Sequence, residues 1–315
     1  HWDWNKCLCN DKHCDRKDWN CKDWDWNKCI CNDKPCQKDP KFEYLNTTAL
    51  GDESPPTGVK QYTTTNPPPA NLQSFFEKRN QLFTKFDDGI WLNDEGWYSV
   101  TPEHLADKIT NRIIEQLRLH DQEGAASTKK YHLMDAFCGP GGNVLSFARH
   151  QSGVSHVTTV DISKDMLRIA NHNASIYQVP AGSIRFVEGD ILRSSEELKH
   201  PSRSKLRGDW SVKHIDAIFM SPPWGGTKYK KREGDEGFET APAFDLDAMP
   251  VPIASIIAAA KPITPNLAIM LPPTTDPEDV KKHLDGLPIE IEQYIVDGVL
   301  KFIVAFTGDL AKLGS

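Results

Sequence analysis

The sequence predicts a doubly wound α/β domain with a Rossmann-like sheet of seven strands, the last antiparallel, and three observations carry that prediction. First, residues 131–136, 156–160, 184–188 and 214–220 are short apolar runs, as strands buried on both faces of a parallel sheet must be. Second, helical stretches such as 144–150 and 165–176 separate them, and parallel strands need such crossovers. Third, each run ends in an acid or a Gly- or Pro-rich turn, at the edge where open α/β sheets bind their ligands.

The elements follow in chain order. Residues 1–45 carry seven of the eight cysteines, and the segment beginning Trp2-Asp-Trp-Asn-Lys-Cys recurs almost unchanged from Trp24. The Cys-x-Cys-x4-Cys spacing is no familiar zinc-finger spacing. Over residues 1–40 eight Asp balance eight Lys and Arg with very few aliphatics, too little to build a core. The segment reads as disordered or as a wrongly assigned gene start, with zinc or copper binding the minor alternative; no metal is expected at the catalytic site. Residues 46–70, with Ser54-Pro-Pro-Thr and Asn66-Pro-Pro-Pro, read as a Pro-rich linker.

From residue 71 the pattern turns helical, and Thr101-Pro-Glu opens a second helix, with Thr101 as N-cap and Pro102 at the first position. Residues 71–125 thus predict a helical lid, and residues 126–315 the sheet domain. There, 253–260 reads as a further helix, 266–271 as strand five, and 290–295 with 300–306 as a closing pair. Residues 194–210 and 227–243 read as surface insertions, the second carrying Lys228-Tyr-Lys-Lys-Arg232, a candidate phosphate grip.

The chain's 315 residues and 38% hydrophobic content support a real core. No run approaches 18 apolar residues and the start is no signal sequence, so a soluble, intracellular protein is expected, with no membrane role. A net charge of −7 argues against a broad electrostatic nucleic-acid binder but leaves room for an enzyme that grips one modified nucleotide.

Chemistry is written at the strand ends. Phe137-Cys-Gly-Pro-Gly-Gly-Asn143 after Asp135 is a glycine-rich turn, although its spacing is not that of dinucleotide-binding turns. Asp135, Gly139 and Gly141 would shape the methionine end of a cofactor site. Asp161 would accept ribose hydroxyls, and Asp190 would face an adenine amino group. Cys138 reads as packing. The fourth strand ends in Ser221-Pro-Pro-Trp224, a rigid ledge whose carbonyls can accept from an exocyclic amine beside a ring on which a planar base can stack. Together the four strand ends describe the S-adenosylmethionine site of a class I methyltransferase acting on an amino group.

At these residues the chain resembles the RNA cap trimethylguanosine synthases, across about residues 75–310. The resemblance rests on Leu82-Phe-Thr-Lys-Phe-Asp-Asp-Gly89 with Glu95-Gly-Trp-Tyr-Ser-Val-Thr-Pro-Glu103, on 135–143, and on Ser221-Pro-Pro-Trp-Gly-Gly226. It implies S-adenosylmethionine as cofactor and the 7-methylguanosine cap of small nuclear and nucleolar RNAs as substrate, methylated at guanine N2 to the 2,2,7-trimethylguanosine cap. It further implies a nuclear location, in nucleoli or related bodies and also cytoplasmic, with small ribonucleoprotein proteins as partners. By the same resemblance Trp224 stacks on the cap base, while Asn173, Ser221 and Pro222 contact the guanine edge. Phe83 and Thr101 line the cofactor side. Ser221, Pro222 and Trp224 form the catalytic set, orienting the amine without a dedicated general base. Two other readings stay open here: an amino-methyltransferase on guanine N2 or adenine N6 of structural RNA, and a non-catalytic cap-binding protein.

Overall fold

The computed structural model describes residues 30–31, 34–35, 43–45, 50, 54–122, 127–192, 214–225, 243–284 and 286–312. Two units are distinguished, His1–Lys41 and Phe42–Ser315. Of the first, only a two-stranded antiparallel ladder pairing Ile30 with Pro35 and Cys31 with Lys34 is described. The rest of the cysteine repeat and, apart from Ala243, both surface insertions, Lys228 to Arg232 included, lie outside the described residues.

The second unit is built on a sheet whose strands are β1 (Glu43–Leu45), β2 (Tyr131–Asp135), β3 (Val154–Asp161), β4 (Ile184–Glu188), β5 (Ala217–Met220), β6 (Leu267–Leu271), β7 (Ile289–Val296) and β8 (Val299–Thr307). Their order is β1-β4-β3-β2-β5-β6-β8-β7. From β4 to β6 every pairing is parallel. β8 runs antiparallel to both β6 and β7, with Ile303 opposite Leu271 and Thr307 opposite Ile289. The seven-stranded order with one reversed last strand is that of the class I methyltransferases. An eighth strand, β1, was not expected. Glu43, Tyr44 and Leu45 come from the segment read as coreless, and pair antiparallel with Glu188, Val187 and Phe186.

Period-two alternation divides the sheet's side chains between two cores. Leu133, Val157, Phe186, Phe219, Met270 and Val304 point to one face. Met134, Val160, Val187, Ile218, Ile269 and Ile303 point to the other. The first face is covered by α4 (Glu103–His120), which buries Leu105, Ile109, Ile113 and Leu117 at four-residue spacing, and by α5 (Gly142–Arg149). The second face is covered by α7 (Ile253–Ala260) and Val280 of α8 (Pro277–His283).

Between residues 50 and 101 the chain wraps in front of α6 (Lys164–Ile176), using α1 (Ala70–Glu77), α2 (Arg79–Leu82) and α3 (Gly96–Ser99). The Pro-rich stretch is packed, unlike a free linker. Leu50, Pro56 and Pro68 are buried, Val59 bridges Asn93, and the Tyr62 ring lies 5.9 Å from that of Trp97. Among the described residues no helix is long and apolar enough to cross a membrane.

Candidate active site

Four strand ends and the lid converge on one edge of the sheet. β2 ends in Asp135, which is 1% exposed. Its Oδ1 accepts from the Phe137 N–H at 3.2 Å, and its Oδ2 is buried without a partner. Burial holds this carboxyl well above the usual carboxylate range; the Phe137 N–H lowers it less, and the neighbouring Asp161 charge adds to the rise. The turn then needs two left-handed residues, Gly139 at φ +51° and Gly141 at φ +95°. A Cβ on Gly139 would meet no atom within 4 Å, so the turn opens onto space there. A Cβ on Gly141 would lie 3.0 Å from Ala170 Cβ, because α6 packs directly on the turn.

β3 ends in Asp161, whose Oδ2 accepts from the Gly139 N–H at 3.0 Å and Oδ1 from the Ser163 N–H at 2.8 Å. Burial pushes its carboxyl up to about 6 against these two hydrogen bonds, helped by the negative charge of Glu95 in the lid. Ile162 follows, an apolar side chain 76% exposed. Ser163 caps α6 by accepting from the Met166 N–H at 3.3 Å. Beyond β4, Asp190 is partly exposed and accepts from the Leu192 N–H at 2.9 Å. Cys138 is buried, and burial raises its thiol well above the ordinary value. A thiol so held stays protonated, as a packing role requires.

At the end of β5, Ser221 is partly exposed and its Oγ donates to Phe137 O at 3.4 Å, tying the ledge to the glycine turn. Pro222 is buried and Pro223 exposed. Trp224 is partly buried against both cores, and its indole Nε1–H donates to Met270 O at 3.3 Å. Met270 also receives the Thr101 hydroxyl at its sulfur, 3.8 Å away. Thr101 in turn accepts from Asn143 Nδ2 at 3.0 Å. The stacking candidate, the lid and the end of the glycine turn therefore meet around one residue of β6.

Three expected roles are corrected here. Thr101 does not cap α4. Pro102 occupies the N-cap position, and the Thr101 side chain, 3% exposed, turns inward to Met270 and Asn143. Phe83 is 2% exposed and packed in the core beside Tyr177, with ring centroids 6.4 Å apart, so it supports the lid from within. Asn173 is fully buried, and its amide is committed on both sides. Its Oδ1 accepts from the Trp91 N–H at 2.8 Å, and its Nδ2 donates to Trp91 O at 3.0 Å and to Pro140 O at 2.9 Å. That leaves no group for a guanine edge; Asn173 instead fastens the lid backbone to the glycine turn.

The orphaned oxygen of Asp135, the opening over Gly139, the carboxylates of Asp161 and Asp190 and the exposed face of Ile162 fit a cofactor that joins an ammonium-bearing amino acid to a nucleoside. The sequence profile of the RNA cap guanine-N2 methyltransferases matches residues 130–310, more than half of the chain. The chain belongs to that family.

It is 28% identical over 243 residues to the trimethylguanosine synthase of Schizosaccharomyces pombe, across 76% of this chain and 87% of that protein. It is 28% identical over 208 residues to the trimethylguanosine synthase of Saccharomyces cerevisiae, across 65% of this chain and 56% of that protein. A methyltransferase structure from Porphyromonas gingivalis superposes at a TM-score of 0.50 with 12% identity, over 85% of this chain and 57% of that one, and shares the fold. The protein is a cap guanine-N2 methyltransferase that uses S-adenosylmethionine, with capped RNA as its substrate.

Sequence reasoning missed several residues of this cap methyltransferase. Glu103 was read only as part of the helix opening, yet it is 9% exposed and hydrogen-bonded to three other segments. Ile162 was passed over, although an apolar residue between a strand-end acid and a helix cap is a readable signal. Met270 and Asn143 carried no such signal. A methionine inside a strand is ordinary core, and only the fold brings its sulfur and carbonyl to the site.

Proposed function

We propose that this cap methyltransferase acts on the 7-methylguanosine caps of small nuclear and nucleolar RNAs and yields the 2,2,7-trimethylguanosine cap, working in the nucleus among small ribonucleoprotein proteins. The trimethylguanosine synthases of the two yeasts support the product. The observation that carries the cap preference is Trp224, a partly exposed indole held by its N–H to Met270 O at the edge of the cofactor turn.

Each residue has a role in this reading. Asp161 accepts the ribose hydroxyls, Asp190 and Ile162 hold the adenine, and the buried Asp135 with the Gly139 opening receives the amino acid end. When bound, S-adenosylmethionine would supply a methyl on a sulfonium, open to direct attack by an amine with a neutral thioether as the leaving group. Ser221 and the Pro222 carbonyl orient the guanine N2 amine. Its lone pair is delocalised into the ring, so placement rather than proton abstraction carries the rate, and the proton leaves late. The Trp224 face favours a cationic 7-methylguanine over neutral guanine by ~1–2 kcal/mol when desolvated. Such a preference is roughly fivefold to thirtyfold in binding, and misplacement of N2 adds on the order of a hundredfold in rate.

The test is mass analysis of 7-methylguanosine-capped and unmethylated guanosine-capped RNA after incubation with enzyme and S-adenosylmethionine. Two added methyls on the first and none on the second are expected. Comparable rates on both at equal, subsaturating concentration refute the reading in favour of a general guanine-N2 methyltransferase.

A further inference from the structure

The lid and α5 share a polar cluster, gathered around the buried Glu103, that the reaction as described does not use. Glu103 opens α4 at 9% exposure. Its Oε2 accepts from the Thr84 N–H at 2.6 Å and from the Tyr177 O–H at 2.6 Å. Its Oε1 accepts from Arg149 Nη1 at 2.6 Å and from Thr84 Oγ1 at 3.2 Å. Arg149 reaches on to Asp107 at 2.9 Å and lies over the Tyr177 ring at 4.8 Å. Asp107 accepts from Ser146 Oγ at 2.6 Å. The lid segment around Thr84, the start of α4, the last residue of α5 and the residue after α6 are thereby bound to one carboxylate. Burial pushes the Glu103 carboxyl up, but the bonds from Thr84 and Tyr177 and the Arg149 charge outweigh it and hold it below the ordinary value, so it is charged at neutral pH.

The arrangement reaches the cofactor turn through α5. That helix begins at Gly142, where a Cβ would come within 2.8 Å of Val100 Cγ2 and 3.2 Å of Thr101 O, so the lid sits directly on its first residue. It ends at Arg149, which Glu103 holds. The short helix whose amino end forms the cofactor turn is thus gripped by the lid at both ends. A buried ion pair rarely adds much stability over well-packed apolar residues, and what this one does fix is orientation.

We propose that Glu103 is a positioning residue for the cofactor: it latches the Phe83–Thr101 lid segment onto α5 and so sets the wall of the pocket above the glycine turn. The proposal rests on the S-adenosylmethionine site assigned above, and its readout needs no RNA. In the full-length protein, Glu103→Gln weakens S-adenosylmethionine by about tenfold in a calorimetric titration, an ordinary magnitude for coupling between neighbouring sites. KM for a capped dinucleotide stays within about twofold, since Met270, not Glu103, anchors Trp224. Amide exchange over residues 84–101 speeds up in the variant, while 105–117 keeps wild-type protection.

Tyr177→Phe leaves the Glu103–Arg149 pair intact and shows the same split at a smaller size, which keeps the test open if Glu103→Gln does not fold. The double variant binds the cofactor no more weakly than Glu103→Gln alone, as groups acting through one latch must. Wild-type cofactor affinity in Glu103→Gln overturns the proposal, as do strictly additive losses in the double variant or equal exchange acceleration along the whole of α4. If the wild type binds cofactor but ignores capped RNA, the substrate reading fails and the latch is still judged by the titration.

Discussion

The strand-end edge and the lid that covers it are built by opposite means. At the edge, Asp135, Asp161 and Asp190 accept from backbone N–H groups no more than 22 residues away along the chain, so local turns place them. In the lid and where α6 meets it, Glu103, Asn173 and Thr101 are placed by partners 19 to 169 residues distant. The first region puts chemistry where any sheet of this winding puts it; the second decides how that chemistry is enclosed. Damage to the edge should therefore remove function with the fold standing, whereas damage to the lid contacts should cost stability.

The largest effect expected is at the edge. Asp161→Ala should weaken S-adenosylmethionine by at least about a hundredfold, since charged hydrogen bonds to two hydroxyls contribute roughly 1.5–3 kcal/mol each. The far-ultraviolet dichroism should be unchanged, and retained micromolar affinity by calorimetry would overturn the assignment. Trp224→Ala should bind the cofactor within about threefold of wild type yet lose roughly a hundredfold in turnover of 7-methylguanosine-capped RNA. Turnover near wild type would remove the stacking role.

The lid is broken differently. Asn173→Ala strands the Trp91 N–H and the Trp91 and Pro140 carbonyls in a fully buried place, at roughly 1–3 kcal/mol for each group left without a partner. A fall of about 5–15 °C in Tm is expected by calorimetry, with cap affinity of the folded fraction unchanged. A selective loss of cap affinity without a change in Tm would restore Asn173 to the guanine edge.

Acid sharpens the comparison at the edge alone. Asp161 titrates at about 6 in the folded protein against an unfolded 3.8. Its contribution to stability is therefore full below the unfolded value and is lost as pH rises through 6. In the proposed role the ionised carboxylate accepts the ribose hydroxyls, so cofactor affinity should rise about tenfold from pH 5 to pH 7. Titrations of Asp161→Asn should be flat over that range. The smallest effect belongs to the amino terminus: deleting residues 1–41 should leave Tm and activity unchanged. Deleting 1–65 should lower Tm by several degrees, because β1, Leu50 and the Tyr62 contact go with it.

Most of the sheet was legible, because each strand carries its own apolar run and its own terminal acid or turn. β1 was not. Three residues beside a polar, cysteine-rich stretch have no periodicity to read, and only the vacant edge of β4 gives them a place. The strand-end positions of Asp135, Asp161 and Asp190 were legible because these acids sit at fixed offsets from glycines and strand ends. Thr101 was read as a helix cap from its local pattern, Phe83 and Asn173 were assigned from a resemblance, and the structure gives all three partners distant in sequence. Nothing between residues 82 and 103 announces that Glu103 will meet Arg149 and Tyr177. The resemblance pointed Asn173 at the guanine edge, and its three buried bonds turn it instead to Trp91 and Pro140.

The two rims of the sheet differ in how they resist unwanted company. At one, β7 turns Glu290 and Glu292 onto Arg112 and Lys312, so ion-paired polar side chains flank an edge that no further described strand covers, and such charged edges pair poorly with a second sheet. At the other, β4 reads Ile184-Arg-Phe-Val-Glu188 and is protected by covering: β1 takes up its outward amides and carbonyls. Proteolysis that clips the chain between β1 and α1 would expose a ready template for intermolecular strand addition. Shortened preparations would then be lost to self-association before they were lost to unfolding.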